Sequence, residues 1–95
     1  MAQFTVRIEL HGAQWEDYEA LHSAMQRKGF SRQITADSGR TYLMPWAEYD
    51  ATASLSSMEV LGAAQQAANS TGKKNAVLVT EVKSRAWSGL TFARS

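Results

Sequence analysis

The segment from Phe4 to His11 alternates strictly between apolar and polar side chains, and this pattern constrains the fold more than any other feature. Its apolar positions are Phe4, Val6, Ile8 and Leu10. Because successive side chains of a β-strand point to opposite faces, one face of this strand must contact a core while the other faces polar surroundings. The sequence therefore predicts a half-buried strand that needs a second layer on its apolar face.

Two stretches have helical spacing. Residues 13 to 28 carry apolar side chains every three or four positions, and Gly29 follows as a helix stop. A second helix is predicted to begin at the capping box Ser56-x-x-Glu59, and alanine dominates its apolar face. Small side chains let a helix lie close to a sheet, so this helix fits a two-layer domain.

Three more strands are predicted at residues 30 to 35, 41 to 44 and 76 to 82. Asp37-Ser-Gly39 is a turn signal that closes a hairpin between the first two. Pro45 lacks a ladder donor and should lie at a bulge, at an irregular point or on an unpaired side of the strand, with residues 46 to 52 as an extension of the strand beyond it.

The resulting order, β-α-β-β-α-β, predicts an α+β fold. We expect a ferredoxin-like two-layer sandwich whose antiparallel sheet has strand order 4-1-3-2, with both helices on one face. Residues 1 to 84 would form this domain. Residues 85 to 95 would be a C-terminal extension that packs on the open face of the sheet or on a dimer partner.

Composition excludes several classes of function. The 95 residues suffice for one domain, and a formal charge of +1 is not the strongly basic balance typical of nucleic-acid-binding domains. There is no cysteine, which removes thiolate chemistry and disulfides. No apolar run approaches the length of a membrane span, so we expect a cytoplasmic protein with no membrane partner.

His11 is the candidate catalytic residue, because it lies at the corner between the first strand and the first helix. A histidine there is suited to general acid–base catalysis of RNA cleavage. The candidate phosphate-binding residues are Arg7, Arg27, Lys28 and Arg32. The structural alternative is that His11 is only an exposed strand end and that the cations only complement the dipoles at helix termini.

Four apolar residues are candidates for contact with a partner or a dimer mate: Trp46, Trp87, Leu90 and Phe92. Those after residue 85 follow no helical or strand period that would bury them in a finished domain. Glu19-x-x-His22 is half of a di-iron helix motif, but a single copy is better explained by a packed histidine. We predict no metal and no cofactor.

The chain also resembles a known family. The segments that carry the resemblance are A-x-F-T-V-R-I-E-L-H, W-E-D-Y-x-x-L-H-x-A-M, G-F-S-R-x-I-x-x-D-S-G-x-x-Y-x-x-P-x-A-E-Y, and the late V-L-V-T-E and W-S-G-L. Together they are similar to the small bacterial proteins grouped with GhoS, the antitoxin of a type V toxin–antitoxin system. The resemblance covers nearly the whole chain, although its motifs are mostly structural.

This resemblance implies a fold similar to that of the CRISPR-associated endoribonucleases, a homodimer, and cleavage of messenger RNA. In those endoribonucleases an aspartate near the end of the first strand holds a metal. Here the corresponding stretch is Glu9-Leu-His11, so the metal site does not carry over.

Two hypotheses from different classes follow. The first is a GhoS-like RNA-binding protein or endoribonuclease, an antitoxin-type regulator that acts as a dimer. The second is a non-enzymatic protein-interaction module, such as a mobile-element-encoded regulator or an inhibitor of a host system.

Overall fold

The computed structural model describes residues 1 to 93, and residues 94 and 95 of the predicted extension lie outside this range. The predicted α+β class is confirmed. The elements in chain order are β1 (Ala2–Leu10), α1 (Trp15–Arg27), β2 (Gln33–Thr35), β3 (Thr41–Leu43), β4 (Glu48–Ala53), α2 (Ser57–Asn69) and β5 (Asn75–Glu81). Neither helix in this range has the length and apolar character needed to cross a bilayer.

β1 is the central strand of a three-stranded antiparallel sheet with order β4-β1-β5. Its register pairs Val6 with Tyr49 of β4 on one side and with Val79 of β5 on the other. The predicted alternation is confirmed, since Phe4, Val6, Ile8 and Leu10 are all buried. The polar positions between these residues face away from the core.

Both helices contribute to one core on the apolar face of β1. Leu21 and Met25 of α1 and Val60 and Ala64 of α2 belong to the same buried cluster as Phe4. The Ser56–Glu59 capping box is confirmed, because each side chain accepts a hydrogen bond from the backbone N–H of the other residue. The cap fixes where α2 begins, and the alanine face of the helix then lies flat against the sheet.

The hairpin forms a separate two-stranded sheet, where we predicted a single four-stranded sheet. β2 pairs with β3, and β3 ends at a turn after which β4 begins as a new strand. Pro45 removes a ladder donor within this turn, and Ala47 adopts a left-handed φ of 61°. The turn at Pro45 therefore separates β3 from β4, and only β4 pairs with β1.

The end of α1 directs the chain from the helix to the hairpin. Gly29 has a φ of 91°, its N–H donates to Gln26, and the N–H of Phe30 donates to Met25. These two bonds are those of a Schellman motif, which needs a residue that tolerates positive φ. Phe30 is thereby buried, and Ser31 is delivered to the edge of β4, where it forms an isolated bridge with Asp50.

Residues 85 to 93 cross the outer face of the sheet and reach the hairpin. The Arg85 guanidinium forms an ion pair with the Asp50 carboxylate at 3.0 Å and donates a hydrogen bond to the hydroxyl of Thr5 at 2.6 Å. Further along, the N–H of Leu43 donates to the carbonyl of Thr91 at 2.9 Å. The part of the outer face formed by β1 and β4 is therefore bridged to the hairpin.

Close contact between α2 and the sheet predicts a steep cost for enlarging the alanine face. Ala64 is fully buried, so Ala64→Leu should lower the free energy of unfolding by about 1 to 3 kcal/mol through overpacking. The measurement is urea unfolding followed by circular dichroism. Gln65→Leu adds a similar side chain at the neighbouring exposed position and should change stability by less than about 0.5 kcal/mol; equal effects would contradict the close packing.

Candidate functional site

The predicted catalytic residue His11 lies exposed just after the end of β1. Its backbone N–H donates to the carbonyl of Lys74 at 2.8 Å, which closes the end of the β1–β5 ladder. Its imidazole Nε2 lies 3.6 Å from the carboxylate of Glu9, with both side chains more than half exposed. This geometry gives His11 one acidic neighbour.

Three of the predicted phosphate-binding residues lie on other surfaces. Arg7 is exposed on the outer face of the sheet, where it lines a shallow depression with Glu9 and Leu78. Arg27 and Lys28 lie exposed at the end of α1, and the Lys28 ammonium donates to the side chain of Gln66 on α2 at 2.6 Å. These residues do not form one site with His11.

Arg32 and Trp46, predicted separately, lie together. The guanidinium carbon of Arg32 is 5.2 Å from the ring centre of Trp46, in cation–π contact. The indole of Trp15 stacks on Trp46 with ring centres 5.1 Å apart and planes 16° apart. Trp46 is 44% exposed and Trp15 62% exposed, so the stacked pair presents a large apolar surface to solvent.

His22 lies on the inner side of this group, in contact with both Trp46 and Tyr49. Its ring meets Trp46 edge to face at 4.8 Å, and its Nδ1 shares a hydrogen bond of 2.5 Å with the hydroxyl of Tyr49. Nε2 of His22 and Nε of Arg32 are buried and have no hydrogen-bond partner in the described chain. We call Trp15, His22, Arg32, Trp46 and Tyr49 the aromatic cluster.

Burial and the neighbouring guanidinium determine the charge states in the aromatic cluster. Burial lowers the pKa of His22 below its usual value of 6.5, Arg32 lowers it further, and Glu19 opposes both. Burial raises the pKa of Tyr49 above its usual range, so that its hydroxyl keeps its proton. Near neutral pH, a neutral imidazole therefore lies beside a fixed cation, which is a combination suited to proton transfer or to binding an anion.

A groove of about 560 Å³ opens next to the aromatic cluster. His22 and Arg32 line it from two sides, and Phe30 and Leu43 supply apolar walls. The polar lining comes from Glu19, Ser23, Gln26, Ser31 and Gln33. We call this the His22 groove; it is positioned by the rigid end of α1 and by the segment that the Schellman motif directs toward β2.

The predicted partner residues of the C-terminal segment contact their own chain. Trp87 meets the ring of Tyr42 edge to face, with ring centres 5.7 Å apart. Phe92 stacks on the same Tyr42 ring, with ring centres 5.0 Å apart. Leu90 is half-buried. Phe92 nevertheless stays exposed, with the guanidinium of Arg40 5.3 Å from its ring centre. These contacts lie on the hairpin, away from the aromatic cluster.

Metal ligation requires several acidic or imidazole groups that converge. Within residues 1 to 93, no group of three or more such side chains does so. Glu19 and His22 line the same groove, but the Nδ1 of His22 is already bonded to Tyr49. The cluster offers a cation, a titratable imidazole and stacking surfaces.

His22 and Tyr49 were not predicted as partners from the sequence. His22 lies at the border of the α1 stripe, and Tyr49 lies 27 residues further along the chain. The period-two sequence Ala47, Tyr49, Ala51 was the available signal, because it places Tyr49 on the core face opposite α1. Only the pairing of β4 with β1 brings the phenol under the helix.

The depressed pKa of His22 predicts that acid destabilises the protein. The unfolded chain takes up a proton at His22 before the folded chain does, so the free energy of unfolding should fall as pH drops through about 6.5. Urea unfolding between about pH 7.5 and 5.5 measures this slope, above the range where carboxylates titrate. His22→Gln should flatten the slope, whereas His11→Gln should keep it; equal slopes in all three proteins would contradict the assignment.

Comparison with known proteins does not name a family for this chain. No protein-family model matches the sequence, and no curated protein matches it significantly. Function is therefore argued from the aromatic cluster and the His22 groove.

Proposed function

We propose that the chain is a single-stranded RNA-binding regulator of the GhoS-like type. The observation that carries the proposal is the exposed Trp15–Trp46 stack with the Arg32 guanidinium held against it. RNA-binding domains recognise unpaired bases by stacking them on aromatic rings and on arginine planes. An apolar face of this kind, beside a groove lined by polar side chains, fits an extended nucleotide chain.

The ferredoxin-like arrangement with strand order 4-1-3-2 is part of this proposal. It is supported by the Ser31–Asp50 bridge, in which each backbone N–H donates to the other residue's carbonyl at 2.8 and 2.7 Å. This bridge lies at the free edge of β4, where strand 2 of the order 4-1-3-2 would pair. In this description β3 and β4 are two parts of one interrupted strand, and β2 lies outside it.

The charges near the His22 groove suit a phosphate chain. Arg32 lines the groove itself, whereas Arg27 and Lys28 line a separate groove on the α2 side of the same helix end. Arg32 can neutralise a phosphate in the groove, and Arg27 and Lys28 can do so further along an extended nucleotide chain, although the protein carries a formal charge of only +1. Arg7 lies on the outer face and is not part of this path.

For RNA cleavage we propose His22, in place of His11, as the acid–base group. In metal-free cleavage a base takes the proton of the 2′-hydroxyl as its oxygen bonds to phosphorus, the bond from phosphorus to the 5′-oxygen breaks, and the 5′-oxygen takes a proton from water or from the protonated base; a cation stabilises the phosphorane charge. The neutral imidazole of His22 lies beside Arg32, whereas His11 has Glu9 as its neighbour. Nε2 of His22 can act as the base when Nδ1–H donates to the Tyr49 hydroxyl, and because Nε2 is buried, RNA must displace the side chains that cover it before the proton can be taken.

Binding is tested with a fluorescent single-stranded RNA at low salt. Trp46→Ala should weaken binding by about 1 to 3 kcal/mol, or roughly 5- to 150-fold in Kd, since it removes one stacking surface. Arg32→Gln should also lower the slope of log Kd against log salt by about 0.7 for the phosphate contact that it removes. Phe92→Ala is the matched control, an exposed aromatic residue outside the cluster, and should bind as the wild type does.

Failure of the wild type to bind RNA at low salt would overturn this proposal. The second candidate, a non-enzymatic protein-interaction module, would then be favoured by the exposed Phe92 and Arg40 on the hairpin. Equal RNA affinity of the Trp46→Ala and wild-type proteins would contradict the stacking role of the aromatic cluster.

Cleavage is tested on a pool of transcripts with EDTA added in parallel. We expect EDTA to leave the rate unchanged and His22→Gln to lower it by about 100-fold or more, the usual contribution of a general base. His11→Gln should retain the wild-type rate. If His11→Gln alone abolished cleavage, the acid–base role would return to the end of β1.

A further inference from the structure

The free edge of β5 is the surface that the fold and the proposed function leave unused. In the described chain, β5 pairs only with β1, so its other edge faces solvent. The strand Asn75–Glu81 contains no proline and no lysine, and its one charged residue is the terminal Glu81. Proteins usually protect exposed edges with such residues, because an unprotected edge is a template for another strand.

The ladder shows which backbone groups are free. Lys74 accepts from His11 and Val82 donates to Gln3, both at 2.8 Å, so even-numbered residues of this segment bond toward β1. In an antiparallel ladder the groups of alternate residues point to opposite sides. The N–H and carbonyl groups of Asn75, Val77, Val79 and Glu81 therefore point outward.

The outer face of the same strand carries an exposed large apolar side chain, Leu78. Leu78 pairs with Arg7 in the sheet and is 62% exposed. Ala76 and Thr80 flank it on this face, and the segment from Arg85 crosses over β1 and β4 instead. Leu78 is thus a large apolar residue at the edge of a sheet, with nothing of its own chain over it.

We propose that β5 pairs antiparallel with β5 of a second copy of this chain, with Leu78 on the two-fold axis. In this register Asn75 faces Glu81 and Val77 faces Val79 of the other copy, so all four outward-pointing residues find partners. Registers centred on Val77 or Val79 leave some of them unpaired. The two copies of Leu78 then form a pair without hydrogen bonds, where side chains approach most closely.

The chemistry of the strand favours a second copy as the occupant over an unrelated peptide. Within Asn75–Glu81 no like charges face each other and each Leu78 covers the other, while beyond the strand ends the same register sets Lys73 opposite Lys83. The result is a continuous six-stranded sheet with the His22 groove of each copy remote from the junction. This inference does not depend on RNA binding, and the C-terminal segment keeps its contacts within its own chain.

Helix α2 extends the surface beside the edge. Gln65 and Asn69 line a shallow groove together with Asn75 at the start of β5, so this flank of the helix borders the strand. Leu61 lies one turn before Gln65 on the same flank and is half-buried. The flank with Gln66 faces α1 instead. A second copy paired along β5 would bring the two Leu61 flanks toward each other.

The first test is the oligomeric state of the full chain by sedimentation over a range of concentrations. We expect a reversible dimer, and Leu78→Lys should raise its dissociation constant by about tenfold or more, because two ammonium groups then meet at the axis. Met58→Lys, at a position that is 73% exposed on α2, is the matched control and should dimerise as the wild type does. A monomer at millimolar concentration would overturn the proposal.

The second test uses the absence of native cysteine. Leu78→Cys should form a disulfide-linked dimer under mild oxidation, because the axis brings the two β-carbons within about 4.5 to 5.5 Å. Met58→Cys should cross-link much more slowly. Equal rates, or a β5 edge that binds other peptides while the protein stays monomeric, would show that the second copy is not the occupant.

Discussion

The two-sided pairing of β1 is the constraint on which the rest of this structure depends. Because β4 and β5 both bond to β1, its side chains are fixed alternately on the two faces of the sheet. The buried face then sets where α1 and α2 must pack. The same pairing carries Tyr49 beneath α1 and holds Asp50 where Arg85 can reach it. The aromatic cluster and the C-terminal contact thus have a common origin in one ladder.

Local patterns predicted the elements well, because the forces that set them are local. Alternation of apolar and polar residues predicted β1, the Ser56–Glu59 box predicted the start of α2, and Gly29 predicted the end of α1. Each predicted boundary lies within one or two residues of the observed one. The division of the strands was harder to predict. A single turn at Pro45 converts one long predicted strand into β3 and β4, and the consequence for pairing depends on tertiary contacts.

The candidate site was less accessible from the sequence than the fold. Arg32 and Trp46 were both selected, but for different roles, since nothing in their spacing shows that they touch. The His22–Tyr49 contact joins a helix and a strand across the core, and it gives His22 an environment that a surface histidine lacks. Position at the end of β1 suggested His11, whereas burial and a neighbouring cation distinguish the environment of His22.

The pairing of β1 with β5 also has a consequence for how the protein is made. Phe4 of β1 pairs with Glu81 of β5, so β1 is synthesised well before the strand that pairs with one of its edges. At about 5 to 20 residues per second, the nascent chain exposes one unpaired edge of an apolar strand for several seconds. The hairpin and both helices precede β5 in the chain, so the edge of β1 that β5 occupies stays unpaired until residues 75 to 81 have been synthesised.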